Sequence, residues 1–373
     1  MNIVIDGRTL TGEIMGIANF FKLAIESMSK VGGGNIKIYI LIPKPLHHSL
    51  STIFPPNVQI IECPLLFMKF LPRLVWFLVM MPIMLRRLNA DVYYSPTPSI
   101  PLGIPSRIVK IITIHDVVSI EYAKTMKLNN RISSFLIFNR SVKQADLIWA
   151  NSYYTKGKIE DYFPERKCKT IFVGCSIDTA VFKKREVDSV ESISVREKYG
   201  IRDKFILFVG SLEPRKNLSF LLGLMPELYL KTEIQLLIVG AKGWKNSGIS
   251  NIVNEPSYPK TSTCFAGYVD VEELVLLYNI ATCFVSTSLN EGFGMPQLEA
   301  LFCGCPVISP HNSAMIEVVK DYGITIDGWD KTEWIRAITE CANGKSSFVN
   351  IDNLLQKYNW ETIIQRLFLL IEK

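Results

Sequence analysis

The chain has 373 residues, 48% of them hydrophobic and 20% charged, and a formal net charge of +6. That length accommodates two domains of ordinary size, each with its own core, and the balance excludes a disordered chain. Residues 1–180 carry 21 basic against 12 acidic side chains, a net of +9, while the remainder nets −3, so only the first half is set to face something anionic.

A phosphorylated acceptor or a membrane surface fits that asymmetry, and so does a scattered, solvated surface. Nucleic acid fits worst, because no basic run interleaved with aromatics is present. The eight cysteines form no CxxC pair and no paired metal spacing. Several sit inside apolar runs, which suits a reducing cytoplasm and argues against a disulfide framework. The opening MNIVIDGRTL has no charged lead, long apolar core or cleavage site, so a cytoplasmic location is expected.

Residues 3–5 read as a short strand ended by Asp6-Gly7-Arg8. A loop runs from Gly12 to Gly16, and 17–30 form an amphipathic helix with Phe20, Phe21, Ala24 and Ile25 on one face. Gly7, Gly12 and Gly16 do not make a GxGxxG spacing, which counts against a nicotinamide or flavin dehydrogenase. Strands at 36–42 and 58–62 complete a parallel α/β beginning. Residues 65–85 are the most apolar segment, but Lys69, Pro72, Arg73 and Pro82 interrupt it, which disfavours a membrane span. An interfacial helix on anionic lipid and a buried core helix fit it equally well.

Further strands fall at 90–95, at 108–114, ending in His115-Asp116, at 145–152 and at 170–173. Helices separate them at 131–144 and 154–163. Residues 187–195 are polar and read as a linker. The second half repeats the grammar, with strands at 205–209, 235–239 and 263–265 and helices at 218–229 and 271–278. Arg215 and Lys216 lie in the loop after the first of these strands. Two α/β domains with a cleft between them are the economical architecture.

The stretch at 284–310 joins a buried strand, the loop Asn290-Glu291-Gly292-Phe293-Gly294, a helix at 297–303 and another strand at 306–309. Free backbone N–H groups at a helix N-terminus favour an anion. Glu291, at the strand's carboxyl end, and Glu299, in the helix's first turn, bracket the loop, and each can accept two hydroxyl hydrogen bonds. A diphosphate flanked by sugar hydroxyls would use every part. A solvated Glu and a capping Glu on an ordinary strand–loop–helix would explain a single such loop as well.

Four stretches together resemble glycosyltransferase family 4, retaining enzymes of the GT-B fold. Glu291 to Glu299 is similar to the family's E-x7-E signature. GSLEPRKNLSFLL at 210–222 resembles its phosphate-binding strand and loop, TIHDVVS at 113–119 its His-Asp motif, and 12–19 its N-terminal glycine loop. The likeness implies an α/β GT-B fold of two Rossmann-like domains: 1–182 for the acceptor, 183–357 for the nucleotide sugar, and a closing helix at 358–373 that crosses back to the first.

It further implies that His115, Glu291, Lys216 and Arg215 are catalytic. Arg215 and Lys216 would neutralise the donor's diphosphate, Glu291 would meet the sugar's hydroxyls and developing positive charge, and His115 would reach the sugar from the first domain. Glu299 would bind the nucleotide ribose. Gly16, Ser211, Tyr268, Val269, Gly292, Phe293, Gly294 and Met295 complete the substrate contacts. Ser211 departs from the pattern, since many members carry Arg there, which leaves open which side chain grips which phosphate.

No DxD sequence is present, so no metal and no cofactor beyond the nucleoside-diphosphate-sugar donor is expected. The implied reaction moves a hexose to a lipid-linked (polyprenyl-diphosphate) or growing surface polysaccharide at the inner face of the cytoplasmic membrane, without nucleic acid. Lys242-Gly243-Trp244 resembles a loop of mannosyl-transferring relatives and points to GDP-mannose. A soluble acceptor, or a non-catalytic sugar-nucleotide-binding role, are the alternatives.

Overall fold

A computed structural model describes residues 1–11, 16–43, 54–63, 73–117, 128–240, 247–345 and 350–372. The chain divides into two compact units, Met1–Ser176 with Tyr358–Lys373, and Ile177–Lys357. Phe182 packs edge-on to Tyr278 at 6.3 Å, so the chain has already joined the second unit before the expected boundary at 182.

The first unit holds β1 (Asn2–Asp6), β2 (Lys37–Ile42), β3 (Val58–Glu62), β4 (Val92–Ser95), β5 (Val109–Ile114), β6 (Leu147–Ala150) and β7 (Thr170–Phe172). They form one parallel sheet in the order β3-β2-β1-β4-β5-β6-β7. The second unit holds β8 (Phe205–Val209), β9 (Gln235–Val239), β10 (Thr263–Gly267), β11 (Cys283–Val285), β12 (Val307–Pro310) and β13 (Ile324–Ile326). Its parallel order is β10-β9-β8-β11-β12-β13.

Unbroken runs such as FILFV and QLLIV are what a strand covered by helices on both faces requires, and both runs are almost wholly buried. In each sheet the chain first builds outward in one direction, then returns to the starting strand and builds the other way. The reversal lies between β1 and β4 in one unit and between β8 and β11 in the other. At such a reversal the connections diverge and leave a crevice outside the strands' carboxyl ends. Gly240, just past β9, has no room for a side chain: a Cβ there would lie 2.0 Å from the Gly210 carbonyl oxygen.

The closing helix Trp360–Ile371 belongs to the first unit, where Trp360 packs on Phe20 at 5.3 Å and Ser176 Oγ donates to the Tyr358 carbonyl at 2.8 Å. Residues 65–72 of the apolar segment lie outside the described residues. The rest is the helix Arg73–Arg87, with Pro82 inside it. Trp76, Phe77, Met81 and Leu85 join the first unit's core, while Val79 and Ile83 are 43% and 49% exposed. Among the described residues no helix is long and apolar enough to cross a membrane.

Two further expectations about elements fail. The linker at 187–195 is largely the helix Ser189–Tyr199. Asp188 caps its first turn by accepting from Glu191 N at 2.8 Å, and Gly200 ends it in the left-handed conformation, so capping prevails over a thin apolar stripe. The expected helix at 218–229 is two, Leu218–Leu222 and Met225–Thr232, broken around Gly223. Six of the eight cysteines are buried, and they serve as small core residues.

Candidate active site

The crevice between β8 and β11 is where the second unit gathers its charges. After β8 the chain passes Gly210 and makes a short turn at Pro214–Lys216, closed by Asn217 in the left-handed conformation. The loop after β11 is stitched to it. Thr287 Oγ1 donates to the carbonyls of Lys216 and Asn217 at 2.9 and 3.1 Å, and Leu289 N donates to the Arg215 carbonyl at 2.8 Å. Two loops far apart in sequence thus become one rigid seat.

Glu291 occupies it. Lys216 Nζ donates to Oε1 at 2.5 Å and Arg215 Nη1 to Oε2 at 2.8 Å. Arg215 Nη1 also reaches the Asn290 carbonyl at 2.6 Å. Ser288 Oγ donates to Oε1 at 2.7 Å, and Glu291 N donates to Ser313 Oγ at 3.0 Å. The carboxylate side chain is only 11% exposed. Burial alone would raise its pKa; the fields of Lys216 and Arg215, with hydrogen bonds from Lys216 and Ser288, outweigh burial and hold it at about 2. A carboxylate held ionised at neutral pH therefore fixes two cations side by side.

Gly294 caps the helix Met295–Phe302 with φ +106, a conformation other residues rarely take, and Pro296 follows where its missing N–H costs nothing. Gln297 Nε2 donates to Ser286 Oγ at 3.1 Å and ties the helix back to β11. Glu299 falls in the second turn of this helix rather than the first, because the helix begins two residues earlier than expected. Tyr278, buried on the helix Val271–Ile280, donates its hydroxyl to Glu299 Oε2 at 3.0 Å. Burial raises the Glu299 pKa to about 7, and the Tyr278 hydrogen bond and the Lys216 charge reverse only part of that rise.

Ser211, where many members of the expected family carry Arg, donates to Glu213 Oε1 at 3.0 Å and thereby shapes the turn. Gly292 and Phe293 are buried in the loop, and Met295 is half-buried at the helix start. Tyr268, 81% exposed, and buried Val269 follow β10 at the same carboxyl edge of the sheet. Lys242-Gly243-Trp244 and Gly12 lie outside the described residues. Ser288, Ser313 and Tyr278 were not anticipated. Ser288 lies three residues before Glu291 in the same loop, within reach of its carboxylate; Ser313 and Tyr278 reach the site only through the fold.

In the first unit, His115 follows β5. Its Nε2 lies 2.8 Å from the Pro96 carbonyl oxygen, and its Nδ1 lies 2.8 Å from Asn151 Nδ2. Gly16 opens the helix Gly16–Gly32, whose Phe20 stands edge-on to the imidazole at 4.8 Å. Burial lowers the His115 pKa, opposed by the Pro96 hydrogen bond and by Asp116.

Residues 192–353 match the family described as "Glycosyl transferases group 1". An O-antigen chain mannosyltransferase B of Escherichia coli is 29% identical over 249 residues, covering 65% of this chain and 63% of that protein. The serotype-specific mannosyltransferase WbdA of Escherichia coli is 30% identical over 183 residues, 48% of this chain and 22% of that one. The chain thus spans less than two thirds of the length of these relatives. The solved structure of Anabaena HepE in complex with UDP-glucose superposes with a TM-score of 0.75 at 15% identity, covering 100% of this chain and 99% of that one. The fold is therefore GT-B, and the Arg215–Lys216–Glu291 cluster lies within the residues that match the group 1 glycosyl transferase model.

Proposed function

We propose that the chain is a retaining glycosyltransferase of family 4 that moves a hexose, mannose first among the candidates, from a nucleoside-diphosphate sugar to a lipid-linked or growing surface polysaccharide. The observation that carries this is the pair of cations, Arg215 and Lys216, locked by Glu291 in the crevice between β8 and β11. As the bond from the anomeric carbon to the diphosphate breaks, negative charge grows on the leaving group and positive charge on the sugar. Arg215 and Lys216 favour the first and Glu291 the second, all three held in place before the reaction begins.

Glu299 accepts the ribose hydroxyls in this reading, and the amides of Gly292, Phe293 and Gly294 hold the sugar and a phosphate oxygen. Ser211, Tyr268, Val269, Met295 and Gly16 line the donor, and His115 serves the sugar from the first unit. No metal has a role in the transfer. The names of the mannosyltransferase relatives support mannose and a polysaccharide acceptor. Exposed Val79 and Ile83 beside exposed Arg86 and Arg87 support contact with an anionic membrane surface from the cytoplasm.

Purified protein incubated with GDP-mannose and a polyprenyl-diphosphate-linked saccharide tests the reading. Release of GDP with an α-linked product supports it. A β-linked product removes retention, and turnover with UDP-glucose alone replaces the donor.

A further inference from the structure

Asn151 stands at the junction of β6 and the helix Tyr153–Tyr162, and the function above makes no use of it. Its backbone is fixed on both sides, by the strand before it and by Ser152 after it, whose hydroxyl accepts from Thr155 N at 3.0 Å. The residue is 3% exposed. Nδ2 lies 2.8 Å from His115 Nδ1, and Oδ1 is buried with no hydrogen-bond partner among the described residues.

An unpaired buried oxygen costs about 1–3 kcal/mol, so this orientation needs a compensating contact, which Nδ2 finds at His115 Nδ1. The Pro96 carbonyl only accepts, so Nε2 carries a proton. With Nδ2 toward the ring, Nδ1 is a bare acceptor and the imidazole is neutral. A flipped amide would put Oδ1 against Nδ1 and require a second proton, an imidazolium. Burial opposes that charge, and around the ring Phe20 and the Pro96 carbonyl are uncharged, with Asp116 the charged group that acts on it. We propose that Asn151 is a positioning residue that holds His115 as the neutral Nε2–H tautomer, its ring fixed between Asn151, Pro96 and Phe20 at the carboxyl edge of β5. That this oriented ring serves the transfer rests on the glycosyltransferase reading; the tautomer does not.

Two-bond proton–nitrogen spectra of the full 15N-labelled chain test it, since the sequence has four histidines and His115→Gln identifies the relevant signals. The expected result near neutral pH is a protonated Nε2 and a bare Nδ1. Asn151→Asp should place a carboxylate against Nδ1 and leave both nitrogens protonated, raising the midpoint by about one unit or more. Asn151→Leu should keep the Nε2 proton that the Pro96 carbonyl still accepts, while Nδ1 loses its partner and the ring its fixed orientation. A wild-type proton on Nδ1 overturns the proposal even if no variant folds, as does an Asn151→Asp protein whose His115 is unchanged. In transfer assays Asn151→Asp should lower kcat by about tenfold with the donor KM within about twofold. An unchanged kcat overturns the catalytic use of the ring. A fixed tautomer in a protein that turns over no nucleotide sugar overturns the proposed function and leaves the Asn151 assignment standing.

Discussion

Glu291 and Glu299 share a loop and helix, yet their surroundings push them in opposite directions. Glu291 meets two cations and stays ionised down to about 2, whereas Glu299 is raised by burial to about 7, with the Tyr278 hydroxyl and the more distant Lys216 charge reversing only part of the rise. Lys216→Ala removes the closest counter-charge, so transfer should be lost and nucleoside-diphosphate affinity should fall about 10- to 100-fold by calorimetry. Unchanged affinity would take Lys216 out of the phosphate site. Glu291→Gln should depress kcat more than donor affinity, because the charge it faces grows in the transition state; equal losses in steady-state kinetics would contradict that. For Glu299, the folded pKa lies above that of an unfolded carboxylate. Its contribution to stability is therefore present below about 4.5 and lost as pH rises through about 7. If the ribose needs the ionised form, nucleotide affinity should rise about tenfold more between pH 6 and 8 in the wild type than in Glu299→Gln. Parallel pH profiles for the two proteins would remove Glu299 from the ribose.

At the scale of elements, the apolar stretch shows how one segment serves two surfaces. The helix Arg73–Arg87 turns Trp76, Phe77, Met81 and Leu85 inward, and Val79 and Ile83, four apart, outward beside two arginines. Composition could not apportion these residues, because a membrane-facing and a core-facing stripe are both apolar. The protein should co-float with anionic vesicles, and Val79→Asp with Ile83→Asp should abolish co-flotation while leaving the thermal midpoint within a few degrees. Loss of folding would place both residues in the core instead, and retained flotation would point to another surface. The loops of the site were legible for a different reason: glycine and proline mark them. Gly294 with its positive φ and Pro296 announce the helix start, and Glu291 follows from the loop between strand and helix. The partners of those carboxylates were less legible. Tyr278 is one of the chain's many aromatics and sits on a helix whose other buried residues are aliphatic, and Asn151 resembles any polar residue at a strand end.

For the whole molecule, two parallel sheets that each reverse direction once give each unit a crevice, and the second unit fills its own with opposed charges. A ligand that binds the folded chain alone raises its stability, by about 2.7 kcal/mol at a hundred times its dissociation constant. Thermal melts against GDP-, UDP- and dTDP-sugars should therefore show one nucleotide raising the midpoint, and Lys216→Ala should cancel the shift. No shift with any nucleotide sugar would count against the donor reading as a whole.

Alternation of buried strands with amphipathic helices, and glycine at the turns, are local properties, so the sequence by itself determined the parallel α/β class, most strand positions and the acidic pair around the glycine loop. Strand order, the seat that binds Arg215 and Lys216 to Glu291, the environment that leaves Glu299 half-ionised near neutrality, and the buried amide behind His115 join residues distant in sequence. Those were decided only by the tertiary structure, because hydrogen bonds and desolvation depend on which groups the fold brings together.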